Sequence, residues 1–333
     1  MISALTIAGV PLSSPCLLAP LAGISDLPFR MLNRSLGCGF AFVEMISARA
    51  LVYRNKSTKN MLSSLPGDRP LGMQLLGDDP EIMRRALDLL DICSYDLIDV
   101  NAACPVNKVT ARGEGASLLK DPRKLGELLR AVVAHAGIPV TVKIRTGWDE
   151  SSVNAREVAL HARDAGIQCL FIHGRTRAQG YSGKVDYRVI AEVKAALDIP
   201  VIASGDGLSP QLIKKMLDET GCDGVAVARG SLGNPWIFRD TEEFLAHGTI
   251  PPRPGIHEIA ATMARHMDLC ADYYGDTVGP IQFRKFFGWY TKKTPGTRAL
   301  KEKAFRAATR QQMLRIIEEL TEGEKEISPA PLY

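Results

Sequence analysis

The sequence lacks the features that mark metal, disulfide-rich and membrane proteins. Its seven cysteines are nowhere three residues apart, so it holds no C-x-x-C pair for a metal or a redox centre. Their odd number and wide spacing favour free thiols in a reducing compartment. No uninterrupted apolar run is long enough to span a bilayer. We therefore expect a soluble cytoplasmic protein with no metal site and no membrane contact.

What is present is an ordinary globular composition with a repeated pattern. Of 333 residues, 46% are apolar and 23% are charged, which suits a chain with a large core. Short apolar runs recur between glycine, proline and aspartate, as in strands buried on both faces of a parallel sheet. The eight runs are residues 16–19, 40–45, 71–75, 97–100, 140–144, 169–172, 201–203 and 225–228.

Amphipathic segments separate these runs. Residues 80–93, 122–135 and 210–220 each open with a proline, which follows an aspartate or serine that can cap the first helical turn. Eight strand–helix units within about 240 residues predict an α/β fold, a (β/α)8 TIM barrel. The alternative is an open doubly wound sheet, which is disfavoured because no G-x-G-x-x-G follows the first strand.

The pattern changes after the barrel. Residues 249–255 contain three prolines, which indicates a linker. Beyond it, apolar residues recur at helical spacing over 256–274, 280–291 and 300–320, and residues 323–333 look frayed. We predict a barrel over 1–248, a Pro-rich linker over 249–255 and a small all-α helical bundle over 256–333.

The bundle holds most of the positive charge. Residues 281–317 contain ten basic side chains and one acid, Glu302, a net charge of +9 in a chain whose total is +4. Ordinary surfaces mix both signs, so this stretch indicates a polyanionic partner such as a nucleic acid. The aromatic residues between these charges are expected to pack inward. They are Phe283, Phe286, Phe287, Trp289 and Tyr290.

Active sites of such barrels lie where the strands end. Glycine-rich turns follow the seventh and eighth runs, where barrels usually hold a phosphate, and Arg229 adds a charge there. Three roles suit Lys143 on the fifth strand: a Schiff-base nucleophile, a partner for an anionic cofactor, or an ion pair with Glu44. His173 could serve the same cofactor or act as a base, and Gln74 suits the edge of a heterocycle.

One cysteine differs from the others in position. Cys16, Cys93, Cys169 and Cys222 are predicted to be small buried apolar side chains. Cys104 instead follows the fourth strand beside Pro105, at the expected catalytic rim. No histidine partner is evident in the sequence, so a proton donor is better supported there than a nucleophile.

Together these segments resemble the tRNA-dihydrouridine synthases, particularly the bacterial B-type branch. The matching motifs are A-P-L-A-G-I-S-D at 19–26, D-V-N-A-A-C-P at 99–105, V-K-I-R-T-G-W at 142–148, I-H-G-R-T-R at 172–177, S-G-D at 204–206 and N-P-W-I-F at 234–238. The resemblance covers the whole barrel in order and extends to the helical appendage. Serine at 204 stands where the family usually has asparagine, and alanine at 228 where it usually has glycine.

The resemblance implies a reductase with tightly bound FMN that uses NADPH to convert specific uridines of tRNA to 5,6-dihydrouridine, with no obligate protein partner. In the family, reduced FMN gives hydride to uracil C6 and a cysteine, here Cys104, protonates C5. The positions that match its FMN contacts are Pro20, Leu21, Ala22, Gln74, Lys143, His173, Ser204, Gly205, Asp206, Ala228 and Arg229. The expected substrate contacts are Asn101 and Arg175, with Lys292, Lys293 and Arg298 on the basic helices.

Three alternatives stay open. A dihydroorotate-dehydrogenase-like barrel acting on a free pyrimidine explains Lys143 and the phosphate turns but not the basic helices. A barrel aldolase would use Lys143 as a Schiff base. A non-catalytic tRNA-binding module would retain FMN without turnover.

Overall fold

A closed ring of parallel strands forms the centre of the protein, with eight strand positions, one of which is divided into two short strands. The computed structural model describes residues 5–7, 9–53, 55, 58 and 61–322. Strand order is β4-β3-β11-β10-β9-β8-β7-β6-β5, and a further pairing of β4 with β6 closes the ring, so the predicted barrel is confirmed. The strands are β3 (Cys16–Leu18), β4 (Ala41–Phe42), β5 (Ile46–Ser47), β6 (Leu71–Leu76), β7 (Leu97–Asn101), β8 (Val140–Arg145), β9 (Cys169–His173), β10 (Val201–Ser204) and β11 (Gly224–Val227).

An antiparallel hairpin precedes the ring, formed by β1 (Thr6–Ile7) and β2 (Val10–Pro11). Its Ile7 packs in one apolar cluster with Phe42 and Phe171 of the barrel interior. The second predicted run, 40–45, is not one strand. It divides into β4 and β5, which both pair with β6, because the chain leaves the ladder around Glu44, whose carboxylate accepts a hydrogen bond from the Gly23 amide.

Helices surround the ring. They are α1 (Leu27–Arg34), α2 (Ala48–Val52), α3 (Pro80–Asp88), α4 (Asn107–Thr110), α5 (Pro122–Ala136), α6 (Ala155–Asp164), α7 (Tyr187–Ala196), α8 (Pro210–Thr220) and α9 (Ile237–His247). Asp79, Asp121 and Ser209 each accept a hydrogen bond from the third amide beyond them, as the aspartate–proline and serine–proline pattern predicts. In the described part of the chain no helix is long and apolar enough to cross a bilayer.

One cysteine prediction is wrong. All seven cysteines are free, but Cys93 is exposed rather than buried. The helix predicted over 80–93 ends at Asp88, and Cys93 lies in a short 3-10 turn, Ile92–Ser94, that has no buried residue. Because no residue of this turn is buried, the Cys93 side chain lies at the surface.

Four helices form the C-terminal bundle: α10 (Ile256–Tyr274), α11 (Val278–Tyr290), α12 (Arg298–Arg306) and α13 (Arg310–Glu322). The three helical stretches of the sequence predict three or four helices, and the structure has four because 300–320 is divided between α12 and α13. Thr309 and Gln312 form a reciprocal cap that starts α13, because each side chain accepts a hydrogen bond from the other's backbone amide. The frayed segment predicted over 323–333 lies outside the described residues.

The bundle packs against the loop and helix that follow β3. The ring of Phe29 on α1 stacks on Phe286 of α11 with centroids 5.4 Å apart, and Tyr274 donates to Asp26 over 2.9 Å. The ammonium of Lys285 donates to the Gly23 carbonyl. The interleaved aromatic residues do pack inward, since Phe283, Phe286, Phe287 and Tyr290 are buried. The division into 1–248, 249–255 and 256–333 stays a prediction.

His266 lies inside this packing, against Phe286 with ring centroids 4.3 Å apart. Burial lowers its pKa to about 3, so folded protein binds fewer protons than unfolded protein between pH 3 and 6.5. Stability due to the neutral ring is present above pH 6.5 and is lost as pH falls. His266→Phe should remove about 2 kcal/mol of the stability loss between pH 7 and pH 5. Urea unfolding of both proteins at the two pH values measures this, and equal losses would contradict it.

Candidate active site

The barrel mouth, meaning the carboxyl ends of the strands and the loops after them, collects the predicted polar residues. Alternation along the strands turns Gln74 of β6, Asn101 of β7 and Lys143 of β8 to the interior, above the apolar cluster. Register places Asn101 beside Lys143, and His173 of β9 beside Ser204 of β10. Successive members of this group lie 27 to 42 residues apart in the sequence, yet their side chains share one surface.

Lys143 lies half-buried at the centre of this surface. Its ammonium donates to the Ser204 hydroxyl over 3.1 Å, and that hydroxyl donates to the Ile172 carbonyl over 3.3 Å. Burial and the charge of Arg145 lower the pKa of Lys143 to about 8. The ion pair with Glu44 considered from sequence is not observed, because Glu44 is bonded to the Gly23 amide instead.

Two arginines and one aspartate meet at the turn after β10. Asp206 accepts from Arg175 over 3.2 Å and from Arg229 over 2.7 Å. Arg175 is 2% exposed and also donates to the Gly183 carbonyl over 2.7 Å, so its orientation is fixed. Asp206 has a φ of +52°, an unusual conformation for a non-glycine residue. Strain of this kind marks functional turns.

The turns after β10 and β11 touch backbone to backbone. A Cβ added at Gly230 would lie 2.0 Å from the Gly207 carbonyl oxygen, so only glycine fits. A Cβ at Gly205, whose φ is +119°, would lie 2.9 Å from Val185. The close approach brings both turns to one corner of the mouth, beside the half-exposed Arg229.

The pKa of His173 is lowered by burial and by the positive charges around the mouth. Burial lowers its pKa to about 2, and four neighbouring cations add to that effect. The cations are Lys143, Arg145, Arg175 and Arg229. The imidazole is therefore neutral at physiological pH, and the mouth is a region where an anion would be stabilised.

Cys104 lies half-buried at the rim, in the loop after β7. Its amide donates to the Asn101 side chain over 2.8 Å, and its carbonyl accepts from the Ala116 amide over 3.0 Å. Gly115, with φ +62°, lets the two segments meet, since a Cβ there would lie 2.9 Å from that carbonyl oxygen. Burial raises the pKa of the Cys104 thiol above its ordinary value, so the thiol is protonated at neutral pH.

Arg145 is a site residue to which the sequence argument gives no role. It is buried, donates from Nε to the Ala103 carbonyl over 2.6 Å, and donates to the Thr176 and Gly180 carbonyls. It thus ties the Cys104 loop to the loop after β9. The signal for it was the Lys-x-Arg spacing of 143 and 145, which places both side chains on one face of β8.

Pro20, Leu21 and Ala22 form the turn after β3, on the side of the mouth nearest the bundle. The Leu21 amide donates to the Ser25 hydroxyl over 2.9 Å, and Ala22 is exposed. Ala228 is partly buried where β11 gives way to a 3-10 turn, Arg229–Ser231. The structure therefore brings the expected cofactor positions to one mouth, while their individual roles stay predictions.

Some of the basic side chains of residues 281–317 are already paired with acidic side chains and are not available to a partner. Acids outside this stretch pair with some of its members: Asp268 with Arg310 over 2.8 Å and Glu319 with Lys303. Lys292 and Lys293 are exposed, and Arg298 is 95% exposed. A concave surface of about 610 Å³ lies there and shares no residue with the barrel mouth. Its lining residues are Thr294, Gly296, Thr297, Arg298, Lys301, Glu302, Phe305 and Arg306.

Phe305 on this surface was missed from the sequence. Its side chain is 55% exposed, unlike the inward-facing aromatic residues of α11. It shares one face of α12 with Arg298 and Lys301, at i−7 and i−4. An aromatic ring exposed among cations is typical of surfaces on which nucleobases stack.

Comparison with known proteins gives consistent matches. Residues 17–326 match the sequence profile of the family described as dihydrouridine synthase (Dus). The tRNA-dihydrouridine synthase B of Pseudomonas putida is 38% identical over 294 residues, 88% of this chain and 87% of that protein. The probable tRNA-dihydrouridine synthase 1 of Synechocystis is 39% identical over 302 residues, 90% of this chain and 84% of that protein.

Among solved structures, histamine dehydrogenase from Rhizobium sp. 4-9 is similar in fold. The TM-score is 0.54 at 14% sequence identity, and the match covers 80% of this chain and 50% of that chain. At this identity the likeness concerns the barrel architecture alone.

Proposed function

This chain belongs to the dihydrouridine synthase family, and from that premise we propose that it reduces uridines of tRNA to 5,6-dihydrouridine with FMN as cofactor and NADPH as reductant. The observation that carries the proposal is the group of lysine and arginine side chains held around the barrel mouth, with the Cys104 thiol on its rim. An enzyme acting on tRNA is expected in the cytoplasm.

The donor set of the mouth fits an anionic flavin nucleotide. Arg229, held by Asp206, and the adjoining glycine turns of β10 and β11 suit a terminal phosphate. Lys143 supplies a half-buried positive charge, and Gln74 an amide for the edge of the ring. When bound, FMN supplies hydride chemistry, which no side chain of the protein can provide.

Three side chains would handle the substrate base. Cys104 holds a proton at Sγ, since burial favours its neutral thiol. It would deliver this proton to uracil C5. Asn101 lies between Gln74 and the Cys104 loop and would orient the base. Arg175 is 2% exposed and is bonded to the Asp206 carboxylate and the Gly183 carbonyl, so it would act on the base only through its charge.

A uridine within folded tRNA must leave its stack to reach this mouth, which costs a few kcal/mol. The basic surface of the bundle would offset that cost by binding phosphates. Lys292, Lys293 and Arg298 are exposed there beside Phe305, whose ring could stack on an unpaired base. The bundle and the mouth would then act on one tRNA molecule.

The direct test is incubation of the protein with FMN, NADPH and unmodified tRNA, followed by mapping of dihydrouridine along the RNA. Position-specific dihydrouridine supports the proposal. A yellow protein that oxidises NADPH but modifies only free pyrimidines supports the dihydroorotate-dehydrogenase-like alternative. Tight tRNA binding without any product would indicate a binding module.

Charge reversal on the bundle should weaken tRNA binding. The triple variant Lys292→Glu, Lys293→Glu, Arg298→Glu is expected to lose affinity and to flatten the slope of log K against log salt by roughly two to three. Filter binding at several salt concentrations measures both quantities. Lys214→Glu with Lys215→Glu on α8 is the control, because these exposed lysines lie on the outside of the barrel. Equal effects of the two variants would refute a specific role of the bundle.

A further inference from the structure

Asp99 is a buried carboxylate for which neither the family resemblance nor the proposed reaction supplies a role. It lies on β7 two residues before Asn101 and faces the barrel interior, 1% exposed. Among the described residues no cation lies within ion-pair distance of it, and the charge of Lys143 acts on it only from further away. Its hydrogen-bond donors are neutral: the Thr141 hydroxyl over 2.7 Å and the Gln74 amide nitrogen over 2.7 Å. Burial raises the pKa of Asp99 to about 6, so it is ionised at neutral pH. Burying a carboxylate without a directly paired cation is costly, so an apolar residue would serve stability better there.

A chain of hydrogen bonds runs from this carboxylate to the loop after β7 that carries Cys104. Gln74 donates to Asp99 from Nε2, and its Oε1 accepts from Asn101 Nδ2 over 2.8 Å. The Asn101 Oδ1 then accepts from the backbone amides of Ala103, over 3.0 Å, and Cys104, over 2.8 Å. The links join β6, β7 and the rim of the mouth.

The two ends of the chain dictate the orientation of both amides. An ionised carboxylate only accepts hydrogen bonds, and a backbone N–H only donates. Gln74 must therefore turn its NH2 group toward Asp99, and Asn101 must turn its oxygen toward the Cys104 loop. If either amide rotated, two donors or two acceptors would face each other in a buried place.

We propose that Asp99 is a positioning residue, which sets the place of the Cys104 thiol by fixing the orientation of Gln74 and Asn101. The carboxylate does not touch the substrate and acts only through the two amides. The use of the thiol as a proton donor rests on the proposed function. Its position in the structure does not depend on that function.

Substitutions that remove or exchange donors and acceptors test the chain. In Asp99→Leu, no acceptor faces the NH2 group of Gln74, so this end of the chain no longer fixes the orientation of the two amides. In Gln74→Glu, two carboxylates face each other. In the double variant Asp99→Asn, Gln74→Glu, the new amide donates to the new carboxylate, which accepts from Asn101, so every link again pairs a donor with an acceptor.

The readout is the pH-dependent alkylation rate of Cys104 by iodoacetamide, resolved by peptide mass spectrometry. Exposed Cys93 in the same molecule reports the reagent and the pH. We expect each single variant to change the Cys104 rate or its apparent pKa by threefold or more, and the double variant to return within twofold of the native value. Turnover should fall tenfold or more in Asp99→Leu with the KM for tRNA little changed, because a small misplacement of a reacting group is costly.

Thr141→Val is the matched structural control, since it removes the other hydrogen bond to Asp99 without inverting any donor in the chain. Its Cys104 rate should stay near the native value. The proposal is overturned if folded Asp99→Leu alkylates Cys104 as the native protein does, if Thr141→Val has an equal effect, or if the double variant restores nothing relative to Gln74→Glu. Should Asp99→Leu fail to fold, the comparison of Gln74→Glu with the double variant still decides. A native protein that makes no dihydrouridine would refute the proposed function alone, because alkylation needs no turnover.

Discussion

Replacing Cys104 by alanine is expected to lower the rate of dihydrouridine formation by roughly 10²- to 10⁴-fold, the usual contribution of a positioned general acid. Burial raises the pKa of this thiol, which therefore holds a proton across the neutral range. The side chain makes no packing contribution that alanine would abolish wholesale, since it is only half-buried at the rim. NADPH oxidation in the absence of tRNA should persist, because that step needs no proton from the rim.

The pH profile offers a second measurement of the same role. The native rate should fall only as pH rises above the ordinary thiol range, where Cys104 loses its proton. Cys93→Ala is the control, since this exposed cysteine lies in a turn on the outside of the barrel. Single-turnover assays on unmodified tRNA would compare the three proteins. An alanine variant that retains a tenth or more of the native rate would remove Cys104 from the mechanism.

Replacing Lys143 by methionine is expected to lower the midpoint potential of the bound flavin by about 30–60 mV. Methionine keeps the length of the side chain and removes its charge. Hydrogen bonds to charged groups contribute about 1.5–3 kcal/mol, and 30 mV corresponds to about 1.4 kcal/mol for a two-electron couple. Lys143 also helps to depress the pKa of His173, so in the flavin-free variant that pKa should rise, as measured by NMR titration.

Lys194→Met is the control for this substitution. Lys194 is also partly buried, but it pairs with Asp223 at the opposite end of the barrel, where β11 begins. Its loss should leave the potential unchanged. A Lys143→Met protein that binds flavin with the native potential would show that the lysine serves another purpose. Trapping of Lys143 by borohydride in the presence of a carbonyl substrate would identify that purpose as Schiff-base chemistry.

The barrel and the composition of its mouth could be predicted from sequence because both depend on local signals. Runs of β-branched residues between capped helices indicate parallel strands, and the residues near the carboxyl end of each strand lie at the mouth. Gln74, Asn101, Lys143 and His173 were found in this way. Their assembly follows from topology and does not depend on their precise partners.

What could not be predicted depends on partners distant in the chain. The hydrogen bonds of Asp99 join three strands whose register no local pattern specifies. The pairing of Arg310 with Asp268 reduces the free charge of a stretch that looks uniformly basic. The exposure of Phe305 and of Cys93 likewise depends on which surfaces other helices cover.

Gly23 is held from two sides, its amide by Glu44 of the barrel and its carbonyl by Lys285 of the bundle. It lies next to Ala22, in the turn where the cofactor ring is expected. The bundle therefore has two faces under different constraints. A graft that altered the inner face, with Lys285 and Phe286, would release the cofactor turn. The outer face, with Arg298 and Phe305, is the one that we propose binds RNA, and it carries no such constraint. On that proposal, new RNA specificity would arise by surface substitution on the bundle and not by exchange of the whole bundle.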